Sequence, residues 1–101
     1  MPKARRVDPD AVLFGAIINR LRTERGWSLV KLGLETGMNP THLGVLERGG
    51  NTPNLTTILI FGAVFGVESA ELVREVEQAS RKRVAQARAA RQARRGKRPS
   101  G

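Results

Sequence analysis

At 101 residues the chain can bury one modest core, and with no cysteine and a single histidine, His42, it can build neither a disulfide framework nor a thiolate or histidine-cluster metal site. Its net charge of +9 is loaded on the ends. Residues 1–6 carry Lys3, Arg5 and Arg6, residues 81–98 carry nine cations with no acid, and the span between holds six cations against all nine acids. This excludes a uniformly basic domain and fits cationic ends that neutralise phosphates of a nucleic acid and release its counterions.

In chain order, the first element opens at Asp8-Pro9-Asp10, where Asp8 is placed to accept orphan amide hydrogens, Pro9 suits the first helical position and Asp10 suits the positive end of the dipole. Phe14, Ile17, Ile18 and Leu21 then form one apolar stripe at i, i+3, i+4 and i+7, and Gly26 ends the helix. Ser28 caps a short second helix with Leu29, Val30, Leu32 and Leu34, which ends near Thr36-Gly37. Asn39-Pro40 opens a third, with Leu43 and Leu46 as its buried positions and Gly49-Gly50 as its stop. A fourth starts after Pro53-Asn54, carries Leu55, Ile58, Leu59, Val64 and Phe65, exits at Gly66 and is expected to be the most buried. Ser69 opens the fifth, with Leu72, Val73, Val76 and Ala79 on one face and Glu71, Arg74, Glu75 and Glu77 on the other. Beyond Arg83 the chain is alanine, arginine and glutamine with little but Val84 to bury. That composition allows either a helix or a disordered tail, closed by Gly96 and Pro99, but no part of a core. Charge therefore divides the chain into an arm (1–7), a helical domain (8–80) and an arginine-rich tail (81–101).

Two short helices joined by a tight glycine turn, with longer helices on either side, let one helix stand out far enough to enter a DNA groove. The run from Leu21 through Gly26, Trp27, Ser28, Gly37, Asn39 and Pro40 to Gly49, continuing through Pro53 to Ile58 and Phe65 to Val67, resembles the Cro/CI-type helix-turn-helix family over about residues 14–72. The resemblance implies an all-α, five-helix, lambda-repressor-like domain. It further implies a sequence-specific transcriptional regulator, a repressor by preference, that binds double-stranded DNA as a homodimer and needs no cofactor. Ser28 to Glu35 becomes the scaffold helix and 39–47 the recognition helix. Outward on the latter would stand Asn39, Pro40, Thr41, Gly44 and Val45, with His42 at the flank. Arg48, Ser28 and Asn51 complete the expected DNA contacts. An ion pair between Arg22 and Glu47 is implied, either buried, locking the third helix to the first, or solvated and weak.

Two departures thin the expected code. Leu29 stands where the family usually has a glutamine that holds a phosphate, and no arginine, asparagine or glutamine projects from the middle of the third helix to make bidentate base contacts. Affinity would then fall on Lys3, Arg5, Arg6, Arg81, Arg83, Arg88 and Arg91, with RNA as an alternative ligand for the tail. Helix five, through Leu72, Val73 and Val76, is the candidate dimer element. A competing reading is an antitoxin-like or coactivator-like module whose apolar Leu29, Val30, Gly44 and Val45 hold a protein partner. Trp27 reads as a hydrophobic plug. No nucleophile–base pair, phosphate-binding glycine loop or carboxylate cluster favours an enzyme. The apolar run Ile58–Val67 is too short for a bilayer, and no signal-peptide pattern follows the N-terminal cations, so a cytoplasmic, nucleoid-associated protein without a membrane partner is expected.

Overall fold

The computed structural model describes residues 8–96, with side chains through Arg94. Five helices and no strands are present among them: α1 (Pro9–Glu24), α2 (Leu29–Thr36), α3 (Pro40–Glu47), α4 (Leu55–Phe65) and α5 (Ser69–Gly96). Local chemistry sets the starts. The side chains of Asp8, Ser28, Asn39 and Asn54 accept hydrogen bonds from the backbone amides of Asp10, Lys31, Thr41 and Thr57 at 2.8–3.0 Å, satisfying donors that the first helical turn leaves unpaired. No single helix among the described residues is long and apolar enough to cross a membrane.

The core is one cluster: Phe14, Ile17, Ile18 and Leu21 from α1, Leu32 from α2, Leu43 and Leu46 from α3, Phe61 and Phe65 from α4, and Leu72 from α5. Each fully buried side chain of this kind stabilises the fold by about 1.5–3 kcal/mol. The rings of Phe14, Phe61, Phe65 and Trp27 form a chain with centroids 5.8–6.1 Å apart. Trp27 thus acts as the expected plug, its indole laid on Phe65 beneath the Lys31 ammonium. Arg25 also meets that ring, its guanidinium 4.9 Å from the Phe65 centroid while it donates to the carbonyls of Leu21 and Phe65.

One expectation is corrected here, and one open alternative is decided. Helix α4 is not the most buried element. Leu55 and Leu59 are 70% and 53% exposed, and the residue it drives into the core is Phe61, while α1 supplies more of the buried surface than any other helix. The reason is geometric: α4 turns Phe61 and Phe65 into the core shared with α1, α2 and α5, and a helix with apolar residues all round must leave some in water when only part of it is covered. The fifth helix also does not stop or fray after residue 80. It runs unbroken to Gly96, 28 residues or about 42 Å of rise, resolving the choice between helix and disorder in favour of helix through that point.

Candidate nucleic-acid interface

The α2–turn–α3 unit is fixed by close packing. A Cβ on Gly33 would come 2.8 Å from the Met38 carbonyl and 3.1 Å from Pro40 Cγ, so the bare glycine is what allows the start of α3 to fold back onto α2. Gly37 supplies the left-handed turn at φ +75°. Thr36 tightens it, donating its hydroxyl to the Leu32 carbonyl at 2.8 Å and accepting from the Met38 amide at 3.2 Å.

Leu43 and Leu46 anchor α3 from beneath. Its far side carries Thr41, Val45 and Arg48 at i, i+4 and i+7, a single stripe, with Asn39 at its head and His42 at its edge. Thr41, His42, Asn39 and Arg48 are exposed, and Pro40 and Val45 are half-buried. His42 is joined to the next loop, where the Asn51 amide nitrogen lies 3.3 Å from its Nδ1. Ser28 is exposed at the head of α2. Asn39, Thr41, His42, Val45 and Arg48 therefore lie together along the outer side of α3, with Asn51 beside His42.

Gly44 is the exception and must be reassigned. It is buried, and a Cβ there would sit 3.4 Å from Arg48 Nη1 and 3.5 Å from Leu29 Cδ1. Leu29, the residue that departs from the family pattern, lies over the glycine and removes it from the outer face. The apolar leucine and the missing side chain are thus two halves of one packing arrangement.

The Arg22–Glu47 pair is of the buried kind. Arg22 Nε and Nη2 donate to the two Glu47 oxygens at 2.7 and 3.0 Å, the side chains are only 14% and 6% exposed, and Asn19 Nδ2 adds a third bond to Oε1 at 2.8 Å. Arg22 Nη1 is spent on the Trp27 carbonyl at 2.7 Å. These bonds to Glu47 raise the Arg22 guanidinium above its ordinary pKa, against the smaller opposing effect of burial. The pair therefore ties α1, the end of α3 and the turn before α2 together, and it keeps the Glu47 negative charge off the outer face.

The tail cations divide. Arg81 is paired with Glu77 at 2.9 Å and Arg83 with Asp10 at 3.4 Å, so Arg83 is partly committed to the body rather than free for phosphate. Lys82, Arg88, Arg91 and Arg94 are exposed and have no ion pair among the described residues. Lys3, Arg5 and Arg6 lie outside the described residues. The helix-five dimer candidate also changes: Leu72 is in the core and Val76 packs against it, leaving Val73, 46% exposed, beside Leu55 and Leu59. Sequence reasoning missed that grouping because exposure on α4 depends on which face α5 covers.

This fold, with a capped helix displayed by a short partner helix and a glycine turn, defines a helix-turn-helix DNA-binding protein. The helix-turn-helix family model matches residues 18–72, more than half of the chain, and the chain belongs to that family, the Cro/CI-type transcription regulators. Among solved structures, it is similar to the restriction-modification controller protein C.AhdI from Aeromonas hydrophila, at 32% identity and a TM-score of 0.61, with 64% of this chain and 98% of that one covered. The clp gene regulator ClgR from Corynebacterium glutamicum shares the fold at 22% identity and a TM-score of 0.67, covering 85% of this chain and 92% of that one. So does the hypothetical transcription factor NHTF from Neisseria, at 24% identity and a TM-score of 0.59, covering 71% and 83%. A search of curated proteins finds no match.

Proposed function

We propose that the protein is a sequence-specific transcriptional repressor that lays α3 in the major groove, holds flanking phosphates with its cationic ends, and works as a homodimer. The observation that carries this reading is the Thr41, Val45 and Arg48 stripe, with Asn39 and His42 beside it, on a helix whose opposite face is fully buried. Thr41 and Val45 suit a thymine methyl, Asn39, His42, Ser28 and Asn51 suit phosphates, and Arg48 brings the one guanidinium of the stripe. With so few base contacts, a two-fold repeat of them is the economical route to specificity. Leu55, Leu59 and Val73, exposed together where α4 meets α5, are the apolar surface that such pairing would cover. A compact unit of this type acts on transcription by occupying its site, and the regulatory roles printed for C.AhdI and ClgR are in keeping with that.

The competing protein-partner reading needs Leu29, Val30, Gly44 and Val45 to form one exposed patch. With Gly44 buried and Leu29 packed against the core, they do not, which favours DNA. Selection of bound fragments from a genomic DNA pool tests the proposal. It should recover a two-fold symmetric site with half-sites about 10 base pairs apart. Arg48→Ala should lose about 1–3 kcal/mol on that site, and Thr41→Arg should abolish selection of it, while random duplex binding persists. Failure to enrich any sequence would reject specific readout, and an unchanged affinity for Arg48→Ala would reject this placement of α3.

A further inference from the structure

Beyond Arg83 the chain has left its own body behind, yet it stays helical. Helix α5 runs antiparallel to α1: Arg20 and Glu75 meet through two bonds of 3.1 Å in the later part of α1, and Arg83 meets Asp10 at its first turn. Since α1 begins at Pro9, the 84–96 portion, about 20 Å of rise, projects past it. Every side chain from Arg81 to Arg94 is exposed. An isolated helix of this length is marginal in water, but here the packed turns before it supply the nucleus and alanine, arginine and glutamine sustain it.

The place where it leaves the body is informative. The first turn of α1 touches the loop that follows α3: Thr52 donates its hydroxyl to the Asp8 carboxylate at 3.4 Å, and a Cβ on Gly49 would come within 2.7 Å of Val12 Cα. That loop also carries Asn51, the neighbour of His42. Three pieces far apart in sequence thus meet at one end of the molecule: the root of the N-terminal arm, the loop beside the recognition helix and the root of the projecting helix.

The projecting helix is also sided. At 3.6 residues per turn, Arg88, Arg91 and Arg94 keep within one half of its circumference, and Ala85, Gln86, Ala89, Ala90 and Ala93 lie in the other. Its composition restricts what can cover the cationic half. An apolar partner would find only Val84 larger than alanine. The same segment of a second copy would repel it, because no acid follows Glu77. A polyanion is complementary, and the exit point beside the α3–α4 loop puts that polyanion on the duplex that α3 reads.

We propose that residues 84–96 form a preformed cationic outrigger, a rigid helix that lies on the DNA phosphate backbone flanking the half-site and extends the contact by about 6 base pairs at 3.4 Å each. This rests on the DNA-binding reading above and adds to it that rigidity, and not only charge, matters. A flexible tail of the same charge would have to lose chain entropy on binding, whereas a helix continuous with α5 has already lost it.

The test compares the full-length protein with Ala87→Pro, which breaks the rod while keeping every charge, and with R88Q/R91Q/R94Q, which keeps the rod while removing three charges. The probe is a 40-base-pair duplex centred on a selected site, read by hydroxyl-radical footprint and by salt titration, with thermal unfolding as the check that residues 8–80 stay folded. Both variants should lose about 6 base pairs of protection on the flank. The triple variant should also lower the slope of log K against log salt by about 2.7 per protomer, about 5.4 for the homodimer on its two-fold site, equivalent to about 1,800-fold less change in affinity between 50 and 200 mM salt. A footprint unchanged by Ala87→Pro would overturn the rigid outrigger, and an unchanged slope in the triple variant would overturn any phosphate contact by this segment. Preferential binding of a single-stranded RNA of equal length, lost in the triple variant, would reassign the helix away from DNA. Absence of any sequence-selective site, with the slope difference intact on random duplex, would instead sink the specific-repressor reading and leave the phosphate contact standing.

Discussion

Replacing Arg22 with methionine should cost far more than an ordinary ion pair is worth. The change removes two of the three hydrogen bonds to Glu47 and the bond to the Trp27 carbonyl, and leaves a carboxylate that is 6% exposed with only Asn19 for company. Stranding one partner of a buried pair typically costs about 3–5 kcal/mol, against about 0–1 kcal/mol for an exposed pair. Domains of this size have about 5–15 kcal/mol in total, so Arg22→Met should move the melting point down by at least about 12 °C, at 4–8 °C per kcal/mol. Glu47→Leu should lose a comparable amount. The double variant R22M/E47L, with two apolar side chains facing each other, should return to within about 1 kcal/mol of the parent, because the desolvation of both charges is then avoided. Urea denaturation at 25 °C, followed by circular dichroism for all four proteins, gives the coupling energy directly. A loss below about 1 kcal/mol for Arg22→Met, or additive losses in the double variant, would refute the buried-lock interpretation. The arginine itself adds no pH dependence near neutrality. Its raised pKa means that its contribution is complete below the ordinary guanidinium value and is lost only as pH climbs past the folded one.

Three further outcomes follow from the packing. Gly44→Ala should leave DNA affinity unchanged and stabilise the fold by about 0.5–1 kcal/mol, since the methyl group finds ordinary contacts at 3.4–3.5 Å and helix propensity improves; a weakened DNA complex would show that the glycine faces the duplex after all. Gly15→Ala should destabilise by about 1–3 kcal/mol or more in thermal unfolding, because its Cβ would approach the Glu47 carbonyl oxygen at 2.7 Å and push α1 away from α3. Leu59→Lys combined with Val73→Lys should shift sedimentation from dimer to monomer with little change in melting of the monomer; a parent protein that sediments as a monomer at micromolar concentration would remove the pairing face.

Much of the architecture was legible in the sequence because helix boundaries are local chemistry. Asp8, Ser28, Asn39 and Asn54 precede their helices by one residue and close their own first turns, and Gly37 and Gly66 sit where only a residue without a Cβ turns freely. The stripe of Phe14, Ile17, Ile18 and Leu21 names its buried face through spacing alone. The outward positions of α3 were also readable, except at Gly44. A glycine carries no polarity signal, and its burial depends on Leu29 reaching over from another helix.

What the sequence determined by itself, then, is the order and ends of the five helices and the segregation of positive charge to the termini, since both depend on near neighbours in the chain. Tertiary structure alone decided which side of an all-apolar helix meets water, so that Phe61 is buried and Leu55 and Leu59 are not. It also decided that Arg22 and Glu47 are sheltered, and that Arg83 meets Asp10 across 73 positions, bringing the first turn of α1 beside the place where the arginine-rich part of α5 begins. Exposure and pairing of this kind are set by how helices cross, and crossing is a property of the whole packed body that no window along the chain contains.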